Sequence, residues 1–362
     1  MRIGIDARLA GTANAGIGRY IEELLRALLA TDAKHEWVIF LEKKSQLPWL
    51  IASSKVKLVI APIRHYTLRE QLAMPGIFAA QHLDVLHVPH FNVPMLYRKK
   101  FVVTIHDLLW HEMRDPRATT LSPSMYMVKY HAYRIVAEHA IKNAVDVIVP
   151  SQHVKKIVEE FPHRHISVVL DGVTPTFLQG KSAALKQPLP TEFIMCVGSL
   201  YPHKNLTIVL DALRDLPQLH LVLVSGRSIF TNEFLEQVEQ RSLRSRVHLL
   251  GHLSDEEIVG LYKKTLALVF PSLSEGFGLP GIEAMAAGAP VIASDIPVFR
   301  EIYRDGAQYF DPHSSKSLVD TIMTMQQNAK HRASLQQKGK EVAATYTWQK
   351  AATQMLSIYE HA

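Results

Sequence analysis

The chain has a single cysteine, Cys196, set in the apolar run "FIMCVG". That excludes a disulfide within the molecule and argues against a cysteine-built metal cluster. It suits a reducing compartment, and the expected location is cytoplasmic. No apolar run approaches about 18 residues, so no membrane-spanning helix is expected. The opening "MRIGIDARLAG" goes straight into a strand pattern, without the apolar core of a signal peptide. Low-complexity tracts and short repeats are missing as well. There is no Asp-x-Asp motif to carry a metal–diphosphate, and neither a metal nor a cofactor is expected.

What is present is an ordinary globular composition, 362 residues of which 48% are hydrophobic and 20% charged. That length suits two domains. The net charge of +6 is unevenly spread. Residues 1–170 hold 22 Lys and Arg against 15 Asp and Glu, whereas the remainder holds 18 against 19. A basic half favours nucleic acid, anionic lipid or phosphorylated substrates, unless the charges only solvate a surface.

Short apolar runs alternate with helical patterns throughout. "RIGID", "EWVIF", "VKLVI", "DVLHV", "FVVTI" and "VDVIVP" read as strands in the first half, with helices over Ile17–Leu29 and Tyr130–Asn143. "FIMCVG", "LHLVLVSG", "RVHLLG", "LALVFPS" and "PVIASD" read as strands in the second, separated by helical segments such as "NLTIVLDALRDL" and "GIEAMAAG". Such alternation builds parallel sheets covered by helices. The Pro- and Gly-rich stretch Asp171–Glu192 marks the junction. Ligands of these sheets bind at the carboxyl ends of strands.

Four segments lie at such ends. "SEGFGLPGIEAMAAG" places Glu275 on a loop and Glu283 eight positions later on a short helix, with Gly276-Phe277-Gly278-Leu279 between them. The amides of Gly278 and Leu279 stand at a helix N-terminus, suited to an anion. The glycines either let a ligand approach the backbone or merely make a tight turn. "VGSLYPHKNL" sets Ser199, His203 and Lys204 between a strand and a helix, where a lysine can neutralise a diphosphate. "VVTIHDLLW" puts His106 just past a buried strand, able to donate to a substrate or to titrate near neutrality. "AGIGRY" supplies Gly16 and Gly18, a glycine loop lacking the third glycine of a dinucleotide fingerprint. Together these features suit a nucleotide-sugar, with carboxylates accepting hydrogen bonds from ribose and sugar hydroxyls.

These residues resemble the retaining glycosyltransferases of the GT-B fold, family four (glycosyl transferases group 1). The glutamate, seven residues, glutamate signature carries most of the likeness. "GSLYPHKNL", "TIHDL", "GIGRY" and the closing helix "YTWQKAATQMLSIYEHA" extend it over essentially the whole chain. The resemblance implies two Rossmann-like α/β domains facing across a cleft. The acceptor-side domain would span residues 1–170 plus 346–362, its last helix crossing back to it. The nucleotide-sugar domain would span residues 171–345.

It further implies that Glu283 binds the ribose, while Glu275 and the Gly276–Phe277–Gly278 backbone hold the transferred sugar. Lys204 and the Leu279 amide would hold the diphosphate, and His106 would contact the sugar near its reacting carbon. Gly16 and Gly18 would approach the phosphate or the acceptor. Many family members carry arginine where this chain has Ser199, and others carry it at His203, so Lys204 would hold the diphosphate with less help here, His203 assisting when protonated or as a neutral donor.

The expected activity is metal-independent hexosyl transfer with retention, GDP-mannose being the favoured donor. The likeness behind that donor lies in Leu68–Asn92 and "TIHDLLWHEM". The base pocket is expected near Gly226-Arg227 and Gly251-His252. The acceptor would be a glycan, in particular a lipid-diphosphate-linked precursor of a polysaccharide or O-antigen. Docking is expected on an anionic membrane surface through Thr119–Lys142 and "YRKK" (Tyr97–Lys100). Nucleic acid is not an expected partner. A nucleotide-sugar 2-epimerase or a non-catalytic nucleotide-sugar-binding protein are the alternatives.

Overall fold

The structure is a computed structural model that describes residues 1–11, 14–112, 122–185, 187–226 and 228–362. Arg227 of the expected base pocket and Thr119–Leu121 of the expected membrane segment lie outside the described residues. The described residues form two compact units: those within 1–112, 122–172 and 347–362 in the first, and those within 173–346 in the second.

Unit 1 is built on seven parallel strands: β1 (Arg2–Asp6), β2 (Glu36–Leu41), β3 (Val56–Ile60), β4 (Val85–Val88), β5 (Phe101–Thr104), β6 (Asp146–Val149) and β7 (Ile166–Val168). They lie in the order β3-β2-β1-β4-β5-β6-β7. Unit 2 holds six: β8 (Phe193–Val197), β9 (His220–Val224), β10 (Val247–Leu250), β11 (Leu268–Phe270), β12 (Val291–Ser294) and β13 (Ala307–Phe310), in the order β10-β9-β8-β11-β12-β13. The central strands β4, β5, β6, β11 and β12 are buried at every residue. That is why their sequences are mainly apolar rather than alternating, with buried polar exceptions such as His87 in β4 and Asp146 in β6. Each sheet reverses direction once, between β1 and β4 and between β8 and β11, and the strand order at those points leaves a crevice at the carboxyl edge.

Two strands escape the sequence reading, β7 and β13. Both are sheet edges, and their residues are only half buried at several positions, so the apolar run that marks the central strands is missing.

The last helix, Trp348–His361, belongs to unit 1. Thr347 caps it by accepting from the Lys350 amide. Its buried face, Trp348, Ala351, Ala352, Met355 and Tyr359, joins the core formed with β1, β2 and the helix Ala15–Thr31. At its far end a buried polar chain begins. The Tyr359 hydroxyl lies 2.7 Å from His87 Nδ1, His87 Nε2 lies 2.8 Å from Thr104 Oγ1, and Thr104 Oγ1 lies 3.2 Å from the Tyr20 hydroxyl. Tyr359 and His87 are fully buried, so the Tyr359 proton is donated to Nδ1 and His87 donates onward from Nε2.

Replacing Tyr359 by Phe removes that donor and leaves His87 Nδ1 buried without a partner. We expect Tyr359→Phe to lower the unfolding free energy by about 1–3 kcal/mol. Denaturant titration reads it directly, and an unchanged midpoint would remove this hydrogen bond from the account.

Candidate active site

In unit 2 the candidate residues gather at the reversal point between β8 and β11. Past β8 the chain passes Gly198 at φ +140 and makes a one-turn 3-10 helix over Pro202–Lys204. Asn205, in the left-handed region, then starts the helix Leu206–Asp215, and its side chain donates to the Pro312 carbonyl at 2.9 Å. Past β11 come Pro271, Ser272 and the glutamate loop. The two edges are tied together, since the Leu273 amide donates to the His203 carbonyl at 2.8 Å. Gly198, Ser199, Lys204, Phe270, Pro271 and Ser272 line one small crevice. Within it the Lys204 ammonium donates to Glu275 Oε1. Ser272, fully buried, donates to the same oxygen at 2.7 Å.

Glu283 lies on the helix Leu279–Ala286 and is 5% exposed. Gly278 is the N-cap at φ +92, and Pro280 sits in the first turn, where no backbone donor is needed. The helix closes on Gly288 at φ +86, with the Gly288 amide bonded to Met285 and the Ala289 amide to Ala284. This pair is a Schellman closure.

The glycines of this segment have a cause inside the protein. A Cβ on Gly278 would stand 2.2 Å from the Tyr303 hydroxyl, and one on Gly281 2.3 Å from the Tyr303 ring. That hydroxyl donates to the Gly278 carbonyl at 2.6 Å. Phe277 turns its ring inward, edge-on to Tyr346 at 5.6 Å, so Gly276, Phe277 and Gly278 offer backbone rather than side chain.

His203 is half buried, and burial with the neighbouring Lys204 charge lowers its pKa to about 4, against an opposing pull from Glu275. It is therefore a neutral group at pH 7.

In unit 1, His106 follows β5. Its Nε2 lies 3.0 Å from the Pro89 carbonyl, which only accepts, so Nε2 carries the proton. Burial lowers its pKa to about 4 although that bond works the other way. Sequence reasoning gave His106 a donor role or a titration near neutrality. The geometry leaves it a neutral ring whose remaining nitrogen, Nδ1, is an acceptor. Its ring meets Tyr20 edge-on at 4.5 Å.

Gly16 and Gly18 lie not on an open loop but inside the first turns of the helix Ala15–Thr31. Gly18 is pressed against the backbone, where a Cβ would stand 2.0 Å from the Gly11 carbonyl oxygen, whereas Gly16 faces open space. The expected basic helix spans Pro123–Asn143 and exposes Met125, Met127, Val128 and Ile135, while Tyr130 is buried and Tyr133 packs on Phe91.

Three groups were missed by the sequence reading. Ser272 is indistinguishable in sequence from Ser274, two positions on. Asp171 is buried near Tyr20, and its Oδ1 has no partner among the described residues; burial raises its pKa to about 8. Arg8, also buried, lies two residues past the end of β1. It donates to Asp6 at 2.8 and 2.6 Å, to Glu70 at 2.8 Å and to the Ile63 carbonyl at 2.9 Å. Among the described residues no group of three or more His, Cys, Asp or Glu could hold a metal ion.

With this geometry in hand, known proteins give a family. The profile described as glycosyl transferases group 1 matches residues 181–342, and that described as glycosyltransferase family 4 matches residues 14–177. The sucrose-phosphate synthase structure from Thermosynechococcus elongatus superposes with a TM-score of 0.81 at 20% identity, covering 100% of this chain and 98% of that one. The Anabaena HepE structure in complex with UDP and glucose superposes with a TM-score of 0.75 at 18% identity, covering 100% and 99%. In sequence, the O-antigen chain mannosyltransferase RfbU of Salmonella typhimurium is 27% identical over 285 residues, 78% of this chain and 76% of that protein. The fold is GT-B, and the chain belongs to the glycosyl transferases of group 1. It is a glycosyltransferase.

Two expectations follow from the site's construction. Gly278→Ala forces a side chain into a left-handed conformation and onto Tyr303. It should cost about 1–3 kcal/mol of unfolding free energy, read by denaturant titration. The second concerns acid. His87, His106 and His203 have folded pKa values lowered to about 3, 4 and 4, against about 6.5 in an unfolded chain. As pH falls from about 6.5 to 4 the unfolded chain takes up protons that these three histidines refuse, so their contribution to stability is lost across that window. Asp171 works in the opposite sense, but it is one group, and His90, His139 and His248 are lowered by burial as well. The unfolding midpoint should fall from pH 7 to pH 5, and less steeply in His106→Gln.

Proposed function

We propose that this protein is a retaining, metal-independent hexosyltransferase that takes GDP-mannose as donor and a lipid-diphosphate-linked glycan as acceptor. The observation that carries the reading is the Lys204–Glu275 pair at the β8–β11 reversal point, with Glu283 buried on the helix that follows.

Each residue has a task in it. Lys204 and the Leu279 amide neutralise the donor's diphosphate. Glu283 accepts from the ribose hydroxyls, and Glu275 accepts from hydroxyls of the transferred sugar. Ser199 and neutral His203 stand beside Lys204 as uncharged donors or acceptors, so the lysine supplies the full charge at that edge. His106 serves the sugar through its Nδ1 acceptor. A cationic side chain and helix amides at the leaving group supply the stabilisation that a metal supplies elsewhere. The departing phosphate then takes the acceptor's proton on the face where the new bond forms, which retains configuration. GDP-mannose is favoured by the likeness to a protein named as an O-antigen chain mannosyltransferase, and that name also favours a polysaccharide precursor as acceptor.

The decisive experiment is a screen of nucleotide-sugars for binding and hydrolysis, run in excess EDTA. GDP-mannose should lead, and activity should persist without added metal. Glu283→Ala should weaken donor binding by about 1–3 kcal/mol. Lys204→Ala should impair binding of free GDP as well as of the donor. His106→Ala should leave GDP binding intact and lower transfer. Equal loss of GDP affinity in the Lys204 and His106 variants would refute this division of tasks, and abolition by EDTA would refute metal independence.

The acceptor reading rests on the basic first half and on the exposed Met125, Met127 and Val128 beside exposed Lys129. Lys99 and Lys100 add a second exposed basic cluster. No helix of the described residues is long and apolar enough to cross a membrane, so docking would be peripheral. Each basic residue near an anionic leaflet contributes about 1 kcal/mol. Vesicle co-sedimentation should rise with the anionic lipid fraction, fall with salt, and weaken when Lys99, Lys100, Lys129 and Arg134 are all replaced by Ala. Indifference to lipid charge with full transfer to a water-soluble glycan would replace the lipid-linked acceptor by a soluble one.

A further inference from the structure

Glu275 presents its two oxygens very unequally. Oε1 takes both the Lys204 ammonium and the Ser272 hydroxyl, so neither of these donors is spent on Oε2. The two donors differ in kind. Lys204 is a mobile cation, part exposed, on a long stem. Ser272 is fully buried two residues past β11, so its hydroxyl is fixed by the sheet.

A diphosphate arriving at this edge brings more negative charge than one carboxylate holds. Under the function proposed above, on which this inference rests, Lys204 turns to the diphosphate when the donor binds. Glu275 then loses its cation at the moment its orientation matters most. A carboxylate so released would swing, unless a second donor held it.

We propose that Ser272 is the positioning residue for Glu275: its hydroxyl keeps Oε1 in place while Lys204 exchanges the carboxylate for the diphosphate, so that Oε2 stays turned to the transferred sugar. A hydroxyl suits the task because it carries no charge, so an incoming diphosphate draws it less strongly than it draws the lysine. The Leu273 amide on the His203 carbonyl keeps the two strand edges in register through the exchange.

The test separates diphosphate binding from transfer. Free GDP and UDP are titrated against wild type and Ser272→Ala, and transfer is measured with GDP-mannose and UDP-glucose. The assignment requires GDP or UDP affinity within about two-fold of wild type, because Lys204 is untouched, and kcat lower by about ten-fold, the worth of one lost positioning hydrogen bond. Ser272→Cys, of similar shape but a weak donor, should repeat the split and stands in if Ser272→Ala proves unstable. Unchanged kcat, or kcat and diphosphate affinity falling together, overturns the assignment. A wild-type chain that binds neither diphosphate overturns the proposed function, and this assignment with it.

Discussion

The hydroxyl of Tyr303 holds the candidate site in shape. It is buried, stacks on Phe299 at 4.9 Å, and donates to the Gly278 carbonyl. Phe299 in turn packs on Phe270 at the end of β11. One aromatic column therefore connects the strand that delivers Glu275 to the turn that delivers Glu283. The space it occupies is the space that side chains at 278 and 281 would need. Glycine in this segment is demanded by the protein's own packing, which fixes the turn before any ligand arrives.

The two units solve the same problem differently. Both sheets reverse direction and open a crevice at the carboxyl edge. In unit 1 the carboxyl edge past β1 holds a buried Arg8 locked between Asp6 and Glu70, with His65 against Glu70 and Asn92 donating to it. Burial of three charges is tolerable because each is paired and hydrogen-bonded. In unit 2 the corresponding place holds one lysine and one carboxylate that remain part exposed. The first arrangement is complete in itself, whereas the second can be redistributed by an incoming anion.

Much of this was legible in the chain. Central strands announce themselves because burial on both faces keeps them mainly apolar, and the segments after β5, β8 and β11 could each be placed at the carboxyl edge of its own sheet from order alone. The edge strands β7 and β13 could not, because they are short and partly buried and "ISV" and "AQYF" lack the apolar run that still marks the edge strands β3 and β10. The site was legible in composition but not in geometry. Nothing in "TIHDL" tells that the His106 proton is given to Pro89, since that partner comes from another strand's loop. Nothing in "PSLSEG" singles out Ser272 from Ser274, because only the folded loop shows that the Ser272 hydroxyl reaches Glu275. Gly18 read as a ligand contact, and the sequence does not show that it also lies tight against the Gly11 carbonyl.

The return of the last helix to unit 1 has a consequence for the order in which the chain acquires structure. Unit 2 is encoded as one stretch, from Val173 to Tyr346, and every strand of its sheet is available before Trp348 is made. Unit 1 is begun first but lacks part of its core until the end. Its first helix has no cover for the face that meets Met355, and His87 has no donor for Nδ1, until Tyr359 arrives. During synthesis, therefore, the unit translated second can finish first, while the unit translated first waits with apolar surface uncovered. The window of exposure to aggregation or to chaperones belongs to unit 1 and closes only with the final turns of the helix.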